Sequence, residues 1–273
     1  MTNILDKFRL DGKVAIVTGG AGLLGKQFCL TLAQAGANVL VADLNEQVAT
    51  ETAESITQQG YSAVPVKVNV TDPDSTRKMA AIAKNHFGRL DILVCSAAMD
   101  PKFDPEHQGS HGNRFEDYPL DAWRQAVDVN LTGMFLCSQA VVPAMLEQGK
   151  GVIITICSTY GLAGPDQRIY QKPGQPAQFK PVYYSVTKAG VLGFTRYLAA
   201  YYAGKNIRVN SLTPGGVFNN HDEHFEKAYS YRTMMGRMAN LDEMNGAMLF
   251  LASDASTYMT GSNLVVDGGW TAW

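Results

Sequence analysis

Short runs of apolar residues alternate with longer stretches in which apolar positions recur at helical spacing. The runs at residues 14–17 (V-A-I-V), 38–43, 63–68, 90–95, 151–157, 206–212 and 263–267 read as seven strands. Most lack a period of two, the pattern of parallel strands covered on both faces. The stretches leading to Gly36, and at 45–59, 73–87, 120–149, 183–203 and 241–252, read as helices. Polar, irregular segments fall at 99–118, 159–182 and 214–240. Strands that alternate with helices predict an α/β fold: one doubly wound, seven-stranded parallel sheet with helices on both faces. No linker, repeat or low-complexity segment divides the chain, so residues 1–273 are expected to form one domain.

Composition narrows the classes of function. A chain of 273 residues, 46% hydrophobic, can bury a substantial core. Its net charge of −2 and pI near 6.2 argue against nucleic acid or anionic membrane as a partner. The N-terminus, M-T-N-I-L-D-K-F-R-L-D-G-K, mixes charges with apolar residues and does not read as a signal peptide. No 18-residue uncharged apolar run predicts a membrane span. Cys29, Cys95, Cys137 and Cys157 lie far apart in apolar segments, without zinc spacing. They read as reduced, core-packed thiols of a cytoplasmic protein, and no metal is expected.

The first chemical signal is T-G-G-A-G-L-L-G (18–25), where the first strand hands over to the first helix. Gly19, Gly22 and Gly25 permit a tight turn, a close backbone approach and tight helix–strand packing, and free N–H groups at a helix start suit a pyrophosphate. Asp43 follows 24 residues after Gly19, at the end of the second strand, placed to accept hydrogen bonds from an adenosine ribose. Its charge repels a 2′-phosphate, and Leu44 and Asn45 supply no cation. NAD is therefore expected over NADP.

The second signal is Y-Y-S-V-T-K (183–188) at the start of a helical stretch. Residues four apart share a helix face, so Tyr184 and Lys188 can meet; Tyr183, five before the lysine, diverges from it. A phenol with a pKa near 10 must lose about 3 units, or about 4 kcal/mol, to act as a base near neutrality. One ammonium about 4 Å away supplies roughly 4 kcal/mol at an effective dielectric near 20, before desolvation subtracts its share. Lys188 alone is thus marginal, and Tyr184 is expected to become a good base mainly beside an oxidised, positively charged nicotinamide.

These segments, with D-V-N-L-T-G (128–133), C-S-T-Y-G (157–161), R-V-N-S-L-T-P-G-G-V (208–217) and G-S-N-L-V-V-D-G-G (261–269), resemble the short-chain dehydrogenases/reductases in their compact form, from about Lys13 to Trp273. The resemblance implies a Rossmann fold and hydride exchange with NAD(P) at a hydroxyl-bearing carbon. It places the catalytic groups at Asn130, Ser158, Tyr184 and Lys188. Ser158 would hold the substrate oxygen and stabilise charge there, and Asn130 would hold a water linking Lys188 to solvent. From the residues alone, Ser158 also fits a turn serine and Asn130 a satisfied core amide. The resemblance further lays Gly19, Gly22, Leu24, Gly25, Asp43, Asn69, Val70, Ser96, Ala97, Pro214, Gly215 and Val217 along the cofactor, with Tyr184 and Lys188.

Three positions depart from the family pattern. Leu23 stands where the compact branch has a middle glycine, which predicts a slightly different turn with the cofactor retained. C-S-A-A (95–98) replaces an amide-bearing N-N-A-G, removing side-chain hydrogen bonds that steady the central sheet. Asn69 replaces the acid that contacts adenine.

The segment between Ser158 and Tyr184 is longer than usual for the family and must lie beside the catalytic hydroxyls. It offers Gln167, Arg168, Tyr170 and Lys180 as candidate substrate contacts, with Gln171, Lys172 and Phe179 nearby. Lys102, His107 and Arg114 in one loop, and F-N-N-H-D-E-H-F-E-K (218–227) in a lid, are expected to face it. His221 and His224 are read as part of a solvated lid. A polar lining suits a sugar, polyol or phosphorylated metabolite. The segments P-D-Q-R-I-Y and P-G-G-V-F-N-N are also similar to those of oxidoreductases of bacterial surface-sugar and flagellin-glycan pathways.

Met134, Phe135 and Leu136, and Val191, Leu192, Phe194 and Leu198, put apolar residues on more than one helix face, and the resemblance implies a homotetramer, with a dimer next. Two rival functions are an NADPH-dependent carbonyl reductase of the same fold and a cofactor-binding scaffold or regulatory partner with weak catalysis.

Overall fold

The computed structural model describes residues 3–100, 113–172 and 174–273; Lys102 and His107 lie outside them. Seven strands form one sheet: β1 (Val14–Thr18), β2 (Asn38–Asp43), β3 (Ala63–Lys67), β4 (Ile92–Cys95), β5 (Gly151–Ile156), β6 (Ile207–Pro214) and β7 (Asn263–Val266). Their order is β3-β2-β1-β4-β5-β6-β7, every pair parallel. The chain reverses its direction of travel across the sheet between β1 and β4, which opens a crevice at the carboxyl ends of the strands.

The helices are α1 (Leu23–Gln34), α2 (Glu46–Gln58), α3 (Pro73–Phe87), α4 (Leu120–Val127), α5 (Gly133–Gln148), α6 (Val182–Tyr201), α7 (Glu223–Tyr231) and α8 (Asn245–Ala252). Alternate residues of β1 feed two separate cores. Val14 and Ile16 pack with Met79, Val141 and Val191 on the α3, α5 and α6 side. Ala15 and Val17 pack with Phe28, Leu32 and Met248 on the α1, α2 and α8 side. Both faces demand apolar residues, which explains the unbroken apolar runs.

Local chemistry sets the helix ends. Asn45 accepts from Val48 N at 3.2 Å to cap α2. Asp72 caps α3, with Pro73 in the first turn, where a missing N–H costs little. Gly88 and Gly149 close α3 and α5 at φ of +75° and +69°.

The predicted helix 120–149 is continuous but not uniform: residues Asp128–Thr132 widen into one turn of i→i+5 bonding around Asn130. By length and composition Leu120–Gln148 could cross a membrane. In the fold it is a core helix, with Met134, Leu136, Val141 and Met145 buried. Phe135 and Leu146 remain exposed, as do Val186, Tyr197 and Tyr201 of α6. Among the other apolar residues expected on these helices, Val191, Leu192 and Leu198 are buried, so they serve the core.

Two expectations change. The segment 214–240 contains α7, capped by Asp222, which accepts from Phe225 N at 3.2 Å. Helix α8 begins at Asn245 rather than 241, because Glu243 is engaged by the Asn240 amide and the Arg237 guanidinium, each at 2.6 Å.

Candidate active site

A cleft of about 340 Å³ opens above the carboxyl ends of the strands. One wall is the glycine turn between β1 and α1. Gly19 has φ +65°, and a Cβ there would stand 2.7 Å from Ala97 Cα. A Cβ on Gly25 would fall 2.0 Å from the Gly19 carbonyl oxygen, so the turn can fold onto α1 only without side chains. Gly22 begins α1 without a side-chain cap. The first amides of α1 therefore remain for a ligand, and with the cradle beside them they fit a pyrophosphate. Gly19, Gly22, Leu24, Gly25 and Ser96 line this part of the cleft, and Pro214, Gly215 and Val217 face them from the end of β6. Leu23, the departure from the family pattern, occupies the first position of α1 and also lines the cleft.

The remaining cofactor candidates sit just beyond. Asp43 ends β2, its carboxylate accepting from Ala21 N and Asn45 N, both at 3.0 Å. It thus ties the end of β2 to the glycine turn. Asn69 accepts from Thr71 N at 3.1 Å and from Thr71 Oγ1 at 2.8 Å. Val70 is buried against Gly133, at the start of α5. The C-S-A-A segment holds to β1 without family amides: Ser96 N donates to the Thr18 carbonyl at 3.2 Å and Ala97 N to Thr18 Oγ1 at 3.4 Å.

The opposite wall carries the hydroxyls. Ser158 follows the end of β5 and opens a single tight turn, its Oγ accepting from Tyr160 N at 3.2 Å. Gly161 lets that turn lie on α6; a Cβ there would meet the Lys188 backbone at 2.7 Å. Tyr184 and Lys188 stand one helical turn apart on α6, and Ser158, Tyr184 and Lys188 all line the cleft. Ser158 lies close enough to the Tyr184 phenol to favour its ionised form. Tyr183 is buried against Tyr118 instead, with ring centres 6.0 Å apart.

The electrostatics of the ligand-free site favour a neutral phenol. Burial, then the nearby Asp100 carboxylate, push the Tyr184 phenol well above 10, while Ser158 pulls it down. Lys188 stands beside it: its Nζ donates to the Ile156 carbonyl at 3.0 Å and lies 5.7 Å from the Tyr184 ring centre. Burial also lowers the Lys188 ammonium from its usual 10.5. Asn130 is likewise engaged. Its Oδ1 accepts from Met99 N at 2.7 Å, and its Nδ2 donates to Thr187 Oγ1 at 3.1 Å. The side chain clamps the loop after β4 to α6.

The loop between Ser158 and Tyr184 divides its polar residues. Lys180 and Tyr170 line the cleft. Tyr170 donates from its hydroxyl to Tyr160 Oη at 2.8 Å, forming a buried wall with Trp270. Gln167 lies outside the cleft and holds Lys180 from behind, accepting from its N–H at 2.9 Å and donating to its carbonyl at 3.2 Å. Arg168 points away, contrary to expectation. Asp166 caps its turn and grips its guanidinium with two 2.7 Å bonds, leaving the side chain 86% exposed. Lys172 pairs with Asp222 at 3.0 Å, joining loop to lid, and Arg114 pairs with Asp117. His221 lines the cleft and stacks on Phe225 at 5.0 Å, while His224 Nε2 donates to the Gln171 carbonyl at 2.9 Å.

Sequence reasoning missed Asp100, whose partner Lys180 is eighty positions away. It also missed Tyr160, which the Ser158 turn could have suggested.

The family profile described as "Enoyl-(Acyl carrier protein) reductase" matches residues 20–271. The trans-4-hydroxycyclohexanecarboxylate dehydrogenase of Sinomonas cyclohexanicum is 36% identical, covering 97% of this chain and 95% of its own. A structure of a gluconate 5-dehydrogenase from Burkholderia cenocepacia, in complex with NADP and tartrate, superposes with TM-score 0.84 at 31% identity, covering 99% of this chain and all of that one. A short-chain type dehydrogenase/reductase from Mycobacterium marinum gives TM-score 0.86 at 35% identity, with both chains covered fully. A glycine cradle facing Ser158, Tyr184 and Lys188 across one cleft, on a sheet of this order, accords with these matches: the chain belongs to the short-chain dehydrogenase/reductase family, oxidoreductases that act on CH–OH groups with a nicotinamide cofactor.

Proposed function

We propose that the chain is a single-domain, NAD-dependent dehydrogenase acting at a secondary alcohol, or the matching ketone, of a small polar substrate. The observation that carries this reading is the convergence of Ser158, Tyr184 and Lys188 on the cleft that the glycine turn walls. Gly19, Gly22, Leu24 and Gly25 would hold the pyrophosphate, Asp43 the adenosine ribose, and Asn69 and Val70 the adenine side, with Ser96, Ala97, Pro214, Gly215 and Val217 beside the nicotinamide half. A bound nicotinamide supplies the hydride acceptor or donor.

The protein's own groups manage the proton. Ser158 donates to the substrate oxygen and stabilises charge developing there. Tyr184 takes the carbinol proton during oxidation and returns it during reduction. In the free protein its phenol stays protonated at neutral pH. It becomes a base once positive charge gathers around it, and Lys188 is the nearest cation on its own helix. Asn130 acts by holding Met99 and Thr187 in place, and so sets the floor of the site.

Asp43 supports NAD, since a half-buried carboxylate at the end of β2 repels a 2′-phosphate. NADP is the second reading, because the gluconate 5-dehydrogenase neighbour was crystallised with it. Exposed Phe135, Tyr197 and Tyr201 on α5 and α6 support a homotetramer. Four buried, free thiols suit a cytoplasmic setting.

The test is reduction of NAD+ and of NADP+ with a panel of sugars, polyols, hydroxycyclohexanecarboxylates and gluconate, native protein against Tyr184→Phe. Turnover that survives Tyr184→Phe would overturn the mechanism. Tight NADH binding without turnover of any substrate would favour a cofactor-binding scaffold.

A further inference from the structure

One cation in the cleft is not used by the chemistry above. Lys180 Nζ lies 4.0 Å over the centre of the Tyr184 ring, and so against the side chain proposed to exchange the substrate proton. Its side chain is only 10% exposed, while its partner Asp100, 2.7 Å away, is 64% exposed. The cation is embedded in the site and its counter-ion is at the mouth. Gln167 fixes the Lys180 backbone through both N–H and carbonyl, so the ammonium is held in place from behind.

As a catalytic cation, Lys180 would be poorly arranged. Asp100 offsets its charge and itself raises the Tyr184 phenol. The arrangement suits exchange of one anion for another. A carboxylate entering the cleft can take the place of Asp100 on a desolvated ammonium, and Asp100 returns to water at little cost. The charge balance points to a monoanion. Among the described residues lining the cleft, Lys180 and Lys188 are the lysines and no arginine joins them. Arg168 and Arg232 both belong to Asp166, and Lys172 to Asp222. A phosphate dianion calls for more donors than one ammonium supplies; among the described lining residues Lys188 is held by the Ile156 carbonyl, burial lowers the pKa of His221, and no guanidinium fork is present.

We propose that Lys180 is a specificity-determining anchor for a carboxylate, with Asp100 its counter-ion in the free protein, so that the substrates are hydroxy acids and their keto acids rather than neutral polyols. This rests on the dehydrogenase reading and refines it.

The test uses NADH-equilibrated protein and calorimetric titration with cyclohexanecarboxylate and its neutral near-isostere cyclohexanecarboxamide. Native protein binds the acid about tenfold to hundredfold more tightly than the amide, the worth of one hydrogen bond to a charged group. Lys180→Met brings that ratio to about one, Lys180→Arg restores much of it, and Asp100→Asn raises affinity for the acid but not for the amide. A ratio indifferent to Lys180, or variants that weaken acid and amide alike, overturns the proposal and marks the pair as a loop tie.

Turnover of 4-hydroxycyclohexanecarboxylate and of its amide is followed alongside. Acid binding that depends on Lys180 without any turnover upholds the anion site and removes the dehydrogenase reading. Turnover with an unchanged ratio does the reverse.

Discussion

Lys188 lies one turn beyond Tyr184 on α6, yet its ammonium donates to the Ile156 carbonyl at 3.0 Å, with Nζ 5.7 Å from the Tyr184 ring centre. The lysine is held at the end of β5, beside the phenol rather than on it. In the free protein burial and Asp100 outweigh any help it gives, and the Tyr184 phenol is raised well above 10.

Tyr184→Phe removes the proton carrier while keeping the ring. Turnover is expected to fall by about a hundredfold to ten-thousandfold. NADH affinity, read by fluorescence titration, should change little, because in the proposed site the pyrophosphate rests on the glycine turn and the phenyl ring is kept. A variant that keeps native turnover would rule out Tyr184 as the acid–base group.

The pH dependence follows from the raised phenol. Burial and Asp100 both favour its neutral form, so Tyr184 stays protonated beyond pH 10 in the free protein. In a near-ultraviolet difference titration against Tyr184→Phe, its ionisation should appear above 10 without cofactor and move down when NAD+ is added. At saturating NAD+, kcat/KM for oxidation should rise with pH along that lowered ionisation. Asp100→Asn should shift the step further down. Ionisation of Tyr184 below 10 in the free protein would contradict the electrostatic account.

Asp43→Asn keeps an acceptor for the Ala21 and Asn45 amides but removes the charge. The preference for NAD(H) over NADP(H), measured as a ratio of Kd values, should fall by about tenfold to hundredfold. An unchanged ratio would mean that the carboxylate does not face the 2′ position.

Two glycine substitutions should act in opposite directions. In Gly25→Ala the methyl would stand 2.0 Å from the Gly19 carbonyl oxygen. That backbone atom must move, at a cost of about 3 kcal/mol, against the roughly 1 kcal/mol that alanine gains in a helix. Gly193→Ala on α6 meets no atom within 4 Å. It should stabilise by about 0.5–1 kcal/mol. Urea unfolding of the two variants checks the pair, and Gly25→Ala should also lose NADH binding.

Arg208 is 8% exposed and donates to the Leu251 and Ser253 carbonyls, both at 3.0 Å, and to Ser256 Oγ at 2.9 Å. It joins β6 to the end of α8. Arg208→Met leaves those acceptors without their donor and should destabilise the fold by about 3 kcal/mol. The midpoint of chemical unfolding should drop, while kcat of the protein that remains folded stays close to native.

Much of this molecule was legible in the residue order because the signals are local. A strand buried on both faces must be apolar throughout, a helix start wants Asn45 or Asp72, and a turn against α1 needs Gly19 and Gly25. Tyr184 and Lys188 share a face by helical periodicity. Helix α7 was not legible, because its apolar residues are few and set among polar ones. The start of α8 was missed because the Arg237–Glu243 pair holds the preceding residues in a turn.

The sequence by itself determined which backbone segments form, in what order, and which residue types stand at the ends of the strands, since these depend on neighbours within a few positions. Tertiary structure alone decided where the charges act. It brought Asp100 to Lys180 across eighty positions, turned Arg168 out to Asp166, and gave the Asn130 amide to Met99 and Thr187. It also raised the Tyr184 phenol by burial. Ion pairs and desolvation depend on distance in space, and the loops that close those distances follow no period along the chain.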